Sequence, residues 1–179
     1  TGQIEGVERK RVNCRLFRSL SSISIHWSCN RKGSWFSRKD ISVVSSTVIE
    51  ALKERAKSSP RKRFRLCLHK NNEDLVQDMI IAFYKNSEIP IHRHSEGKSE
   101  TFHVIEGQLS VLIYDDFGNL IDKIKLGDKL TKLPSVYRLS SPFWHTVNIE
   151  TEIVVLHEIT TGPFDPNEKK ESPKWILEK

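Results

Sequence analysis

The sequence predicts an all-β fold, an antiparallel barrel or jelly roll, with one amphipathic helix ahead of it. Short apolar-rich runs succeed one another from Arg63 to Ile159. Gly, Asp, Asn and Pro turns separate them, as in barrels and jelly rolls built from many short strands. One stretch just before them places its apolar residues at helical spacing instead.

Residues 1–40 read as a basic N-terminal extension and residues 41–179 as the main domain. In the extension, Ile23, Ile25, Trp27 and Cys29 alternate with Ser22, Ser24, His26 and Ser28, the period of a strand. Asn30 to Gly33 could then turn the chain toward Trp35 and Phe36. Two readings stay open here: a hairpin docked on the main domain, or a segment with no stable fold of its own. Next, Thr47 and Glu50 have the spacing of a capping box. Val48, Ile49, Leu52 and Ala56 form a stripe and Pro60 ends it, so a helix is expected over Thr47–Ser58. Strands are expected around Phe64, Leu66 and Leu68, then over Met79–Tyr84, Glu100–Ile105, Leu109–Tyr114, Leu120–Leu126, His145–Ile149 and Ile153–Ile159. From Gly162 the chain reads as an ordered coil, anchored by the Trp175 ring.

The charge narrows the function classes. The net charge of +6 lies wholly in residues 1–40, which hold nine Lys/Arg against three Asp/Glu, while residues 41–179 hold twenty of each. A solvated arm is therefore expected, with no specific nucleic-acid partner. Cys14, Cys29 and Cys67 include no C-x-x-C pair, which argues against a disulfide scaffold or a structural zinc site. No apolar run approaches the ~18–20 residues of a membrane span, and Arg18 and serines interrupt residues 16–27. A cytoplasmic chain with reduced thiols is the expectation.

His92-Arg93-His94 points to chemistry, because side chains two apart on a strand share a face. Glu100 shares its strand face with Phe102 and Val104, so one carboxylate can join the two imidazoles at the mouth of an apolar interior. His145 opens a later strand and supplies a third imidazole. Glu96 competes with Glu100, but strand parity and the six-residue spacing to Gly107 favour Glu100. Imidazoles with a carboxylate suit one divalent ion, Fe, Mn, Ni or Zn, with positions left for water or substrate. By parity His103 should face away. His157 reads as a packed core residue, and Trp144 as a wall of the pocket or a residue packed beneath it.

His92-x-His94-x5-Glu100-x6-Gly107 resembles the first cupin motif, and Gly127-Asp128 followed by His145-x-x-Asn148 resembles the second. Within cupins the chain resembles the WbuC family of cupin-fold metalloproteins. Pro90-Ile91-His92-Arg93-His94, Glu100-Thr101-Phe102, Tyr114-Asp115-Asp116-Phe117-Gly118, Trp144-His145-Thr146-Val147 and Gly162-Pro163-Phe164-Asp165-Pro166 carry it, in the family's order. Asn86 stands where a glycine commonly opens the first motif, and Ser140-Ser141-Pro142 replaces a Pro-x-Gly. The resemblance implies a cupin-type barrel whose metal ligands are His92, His94, Glu100 and His145. Arg61, Arg63, His69 and Gln77 also resemble family positions. Two readings stay open for them: solvated strand positions, or ligand-binding residues, the arginines gripping a phosphate or carboxylate with their planar forks. It further implies a sugar or sugar-nucleotide precursor of surface polysaccharide as substrate. An Fe(II)-dependent dioxygenase and a non-catalytic binding module are the other readings. A homodimer is expected, since cupins commonly pair through edge strands.

Overall fold

The computed structural model of the chain describes residues 27–29, 34–37, 40–165 and 172–177. Its strands are β1 (Trp27–Cys29), β2 (Ser34–Ser37), β3 (Arg63–Cys67), β4 (Val76–Tyr84), β5 (Glu100–Glu106), β6 (Gln108–Tyr114), β7 (Leu120–Gly127), β8 (Val136–Leu139), β9 (Trp144–Ile149) and β10 (Ile153–Thr161). Two helices join them, α1 (Ser46–Ser58) and α2 (Lys174–Leu177). The chain is mostly β and forms two sheets. The larger runs β1-β2-β3-β4-β10-β5-β8 and the smaller β7-β6-β9. Residues 23–26 of the strand expected over Ile23–Cys29 lie outside the described residues. β1 and β2 form an antiparallel hairpin, and β2 adds parallel to β3.

The middle of the larger sheet, over β4 and β10, is buried on both faces, and this explains its sequence. On the inner face Met79, Ile81, Phe83, Phe102, Val104, Val154 and Leu156 pack against Leu109, Val111, Leu126, Val147 and Ile149 of the smaller sheet. On the outer face Leu66, Ile80, Ala82 and Val155 pack against Val48, Leu52 and Ala56 of α1, with Trp35 beside them. Hence Met79–Phe83 is an unbroken apolar run with no alternation. Leu52 is fully buried, and removing its side chain from water contributes about 2–3 kcal/mol.

The start of α1 differs from the expected capping box. Ser45 is the N-cap, with φ −88° and ψ 167°, and its Oγ accepts the Val48 N–H at 3.4 Å. Thr47 already lies in the first turn. Glu50 accepts from Lys53 Nζ at 2.9 Å rather than reaching back to a cap. Ser45 and Thr47 can each accept a first-turn N–H, and composition alone does not choose between them. β8 is a strand where none was expected. Its four residues sit between Pro134-Ser135 and Ser140-Ser141, too short a run for a period to stand out.

Two turns bear directly on the motif. Asn86 adopts φ 71°, a left-handed angle that asparagine tolerates, so the missing glycine leaves the turn after β4 intact. Gly107 turns β5 into β6 at φ +85°, where an added Cβ would stand 2.2 Å from the Ile153 carbonyl oxygen. Its N–H donates to the Asp128 carboxylate at 2.8 Å, and the Asp128 N–H donates back to the Gly107 carbonyl at 3.1 Å. Gly127-Asp128 thus serves to tie down the turn that follows the Glu100 strand. Among the described residues, no helix is long and apolar enough to cross a membrane.

Candidate metal centre

The register of the two sheets brings the motif residues to one end of the sandwich. In the larger sheet Gln77, Thr160, Glu100 and Leu139 lie in one row across β4, β10, β5 and β8. In the smaller sheet Asp122, Ile113 and His145 form the facing row, extended by an isolated bridge from His145 to His92. Paired residues share a face, so Glu100 meets His145 and His92 across the interior. His94 follows two residues after His92 and closes the group.

The four residues each offer one ligand atom, and all four atoms lie within 4.8 Å of one another. The His92 and His145 rings are 4.4 Å apart by centroids, and His94 is 5.2 Å from each. Glu100 is 3% exposed and His145 fully buried, while His92 and His94 are half-buried. Glu100 Oε2 is 3.1 Å from His94 Nε2, and Oε1 is 3.5 Å from His145 Nε2. Burial alone would push the Glu100 carboxyl up. The imidazoles of His145 and His94 beside it outweigh burial and hold the pKa down at about 2, so the group is an anion.

Backbone carbonyls fix two of the rings. His92 Nδ1 is 2.9 Å from the Pro90 oxygen, and His145 Nδ1 is 2.9 Å from the Phe143 oxygen. A carbonyl can only accept, so in both rings Nδ1 carries a proton and Nε2 is left to face the centre. Ring nitrogens oriented in this way, with a buried carboxylate, are what a metal site requires of its surroundings. The residues present therefore fit a divalent ion, and the cluster could hold one.

Glu96 is exposed and lies outside the cluster, whereas Glu100 lies within it. His103 is exposed and pairs with His157 in the larger sheet. His157 is half-buried, with Nε2 2.5 Å from Asp78 Oδ1, so it forms a polar pair and not the packed core residue expected. Trp144 precedes His145 and so faces away from the centre. It is 7% exposed and its Nε1–H donates to Asp116 Oδ1 at 2.9 Å. The Arg93 guanidinium stacks 4.3 Å above the Trp144 ring and bonds Asp116 at 3.2 Å. With Arg93 and Asp116, Trp144 thus pins the His92–His94 segment to β9. The sequence reading gave Arg93 and Asp116 no role, although the middle residue of H-x-H must face away from the metal. Arg93→Ala is expected to weaken Mn(II) affinity about 3- to 10-fold by loosening that segment, measured by calorimetric titration of metal-free protein.

Of the other four expected ligand-binding residues, Gln77 lies in the Glu100 row two strands away, and none of the four belongs to the cluster. Gln77 Nε2 donates to the Asn71, Asn72 and Asp74 carbonyls, at 3.3, 3.2 and 2.8 Å, clamping the loop before β4. His69 Nδ1 accepts the Asp78 N–H at 3.0 Å, and burial lowers its pKa. Arg61 and Arg63 line a shallow cleft with Ser34, Phe64, Arg65 and Ile81. Arg63 and Arg65 pair with Phe83 and Ile81, while the Glu100 row meets β4 at Gln77. The arginines therefore stand ~13–20 Å along the sheet from that row.

Three comparisons with known proteins bear on this site. The model of a domain of unknown function, DUF6016, matches residues 44–126, a span that includes His92, His94 and Glu100. No curated protein matches the sequence. Similar solved structures include a protein from Shewanella oneidensis, at 12% identity over 59% of this chain and 68% of that one, with a TM-score of 0.48. A cupin domain from Schizosaccharomyces pombe is similar at 12% identity over 56% and 64%, TM-score 0.44. A cupin-superfamily protein from Desulfitobacterium hafniense is similar at 14% identity over 62% and 86%, TM-score 0.45.

Proposed function

We propose that the chain is a metal-binding cupin that presents one divalent ion to a small molecule. The observation that supports this most is the convergence of His92, His94, Glu100 and His145, with ligand atoms within 4.8 Å of one another. These four would hold the ion. When bound, the ion supplies Lewis acidity, polarising an oxygen of the partner molecule. The chain does the rest. Carbonyls of Pro90 and Phe143 orient two rings, and Phe102, Val111 and Val147 form an apolar floor that excludes water.

The finer reading rests on the motif resemblance to the WbuC family: the small molecule is a sugar or sugar-nucleotide precursor of surface polysaccharide. Two copies pairing through an open sheet edge belong to the same reading, and a monomeric mass at micromolar concentration counts against that part. The deciding experiment is metal analysis of native protein with mass spectrometry of any co-purified molecule. A stoichiometric metal with a sugar-containing ligand supports the reading. Oxygen consumption by the Fe(II)-loaded protein favours the dioxygenase instead, and a chain that takes up no metal contradicts both.

A second reading concerns the arginine cleft. Arg63 Nη1 donates to the Glu88 carbonyl at 2.7 Å, but its Nε is buried without a partner. Burial first, then the neighbouring Arg61 and Arg65 charges, lower its pKa. None of these three arginines has a carboxylate within ion-pair distance among the described residues. A phosphate or carboxylate there would offset the crowding of like charges. Arg63→Ala is expected to weaken inorganic phosphate binding about ten-fold with metal content unchanged. Equal phosphate affinity in the variant would make the cleft ordinary surface.

A further inference from the structure

Tyr137 lies on β8, beside the Glu100 strand. It pairs with Phe102, and Leu139 pairs with Glu100, so Tyr137 and Glu100 are diagonal neighbours on the inner face. Such residues are roughly 7–8 Å apart by Cα, within reach of an aromatic side chain. Tyr137 is 8% exposed, and its hydroxyl makes no hydrogen bond with any of the described residues. Buried phenol hydroxyls normally find a partner, and an unpartnered one costs stability. Glu100 Oε1, in the same part of the interior, also makes no hydrogen bond. An ion bound to the carboxylate would answer the second of these; it would not answer the first, because a hydroxyl hydrogen needs an acceptor.

We propose that the Tyr137 hydroxyl donates a hydrogen bond to an oxygen- or nitrogen-bearing anion held at the open position of the His92/His94/Glu100/His145 centre. The inference rests on the metal-binding reading above. Burial, then the charges of Glu100 and Asp122, push the phenol's pKa up, so it stays a neutral donor at physiological pH. Along β8 and β5 the Tyr137–Phe102 pair is the next inward-facing pair after Leu139–Glu100, so the tyrosine stands beside the cluster row on the same face. The role is that of a ligand-positioning donor. It favours an acceptor on the bound molecule, such as a carboxylate or enolate oxygen, over a donor.

Tyr137→Phe keeps the ring and removes only the hydroxyl, which allows two independent readouts. Metal-free Tyr137→Phe protein should melt about 2–6 °C higher than metal-free wild type, because a buried donor without a partner has been removed. Azide, titrated into Co(II)-loaded protein and followed by absorption, should bind about 3- to 10-fold more weakly to the variant. Cobalt content should be equal in the two proteins. A lower melting temperature in the variant would show a structural partner for the hydroxyl and overturn the proposal. Unchanged azide affinity at equal cobalt content would also overturn it, leaving the metal reading intact. Wild type that takes up no cobalt would fail the metal reading itself, and this inference with it.

Discussion

His145→Ala is expected to weaken divalent-metal binding by more than about 100-fold while leaving a folded protein. Removing a group that merely orients a ligand typically weakens metal affinity about 10- to 100-fold, and His145 would be a ligand itself. It is fully buried, bridged to His92 and within 3.5 Å of Glu100, so no surface residue can swing in to replace it. The fold should survive because the interior below the site is apolar and continuous through Val147, Val111 and Phe102. Calorimetric titration with Mn(II), beside circular dichroism, reads both parts. Wild-type affinity in folded His145→Ala would remove His145 from the centre.

Gly107→Ala should give the largest loss of stability of any single substitution considered. The backbone angle of +85° already costs an L side chain about 1–2 kcal/mol. The new Cβ would also stand 2.2 Å from the Ile153 backbone oxygen, and no side-chain rotation relieves a contact with backbone. Either β10 or the β5–β6 turn must move, and the turn is held by two hydrogen bonds to Asp128. The expected loss is about 3–4 kcal/mol, or roughly 6–16 °C in melting temperature for a chain of this size. Urea denaturation measures it. A change within about 0.5 kcal/mol would mean that the turn relaxes freely.

These two positions were legible in the sequence for different reasons. The H-x-H pair lies outside any strand and is held by the single His92–His145 bridge, while Glu100 follows from the parity of β5, where one slip would turn every side chain to the wrong face. Burial separates Glu100 from Glu96, which lies in the exposed turn ahead of β5. Gly107 was visible as a turn, but the closeness of Ile153 comes from β10 across the sheet and has no local trace. Trp144 stays open in the sequence, because an aromatic next to a ligand reads equally well as pocket wall or as a residue packed beneath the pocket. Only the Arg93 and Asp116 contacts show what the ring holds in place. β8 escaped notice altogether. Four residues cannot display a period, and with β8 went Tyr137, the polar group that the four-residue motif leaves out. Gln77 and His69 show the converse. Their residue types suggest a ligand, while folding commits Gln77 to loop carbonyls and the His69 ring to the backbone of Asp78.

The central claim is that one divalent ion sits among His92, His94, Glu100 and His145. Crystals of metal-reloaded protein, measured at the absorption edge of the bound element, test it most directly. The account predicts one anomalous peak per chain, about 2.0–2.2 Å from nitrogens of the three histidines and from a Glu100 oxygen. A map with no peak at that centre, or with its peak on other residues while these four remain in direct contact, would contradict it.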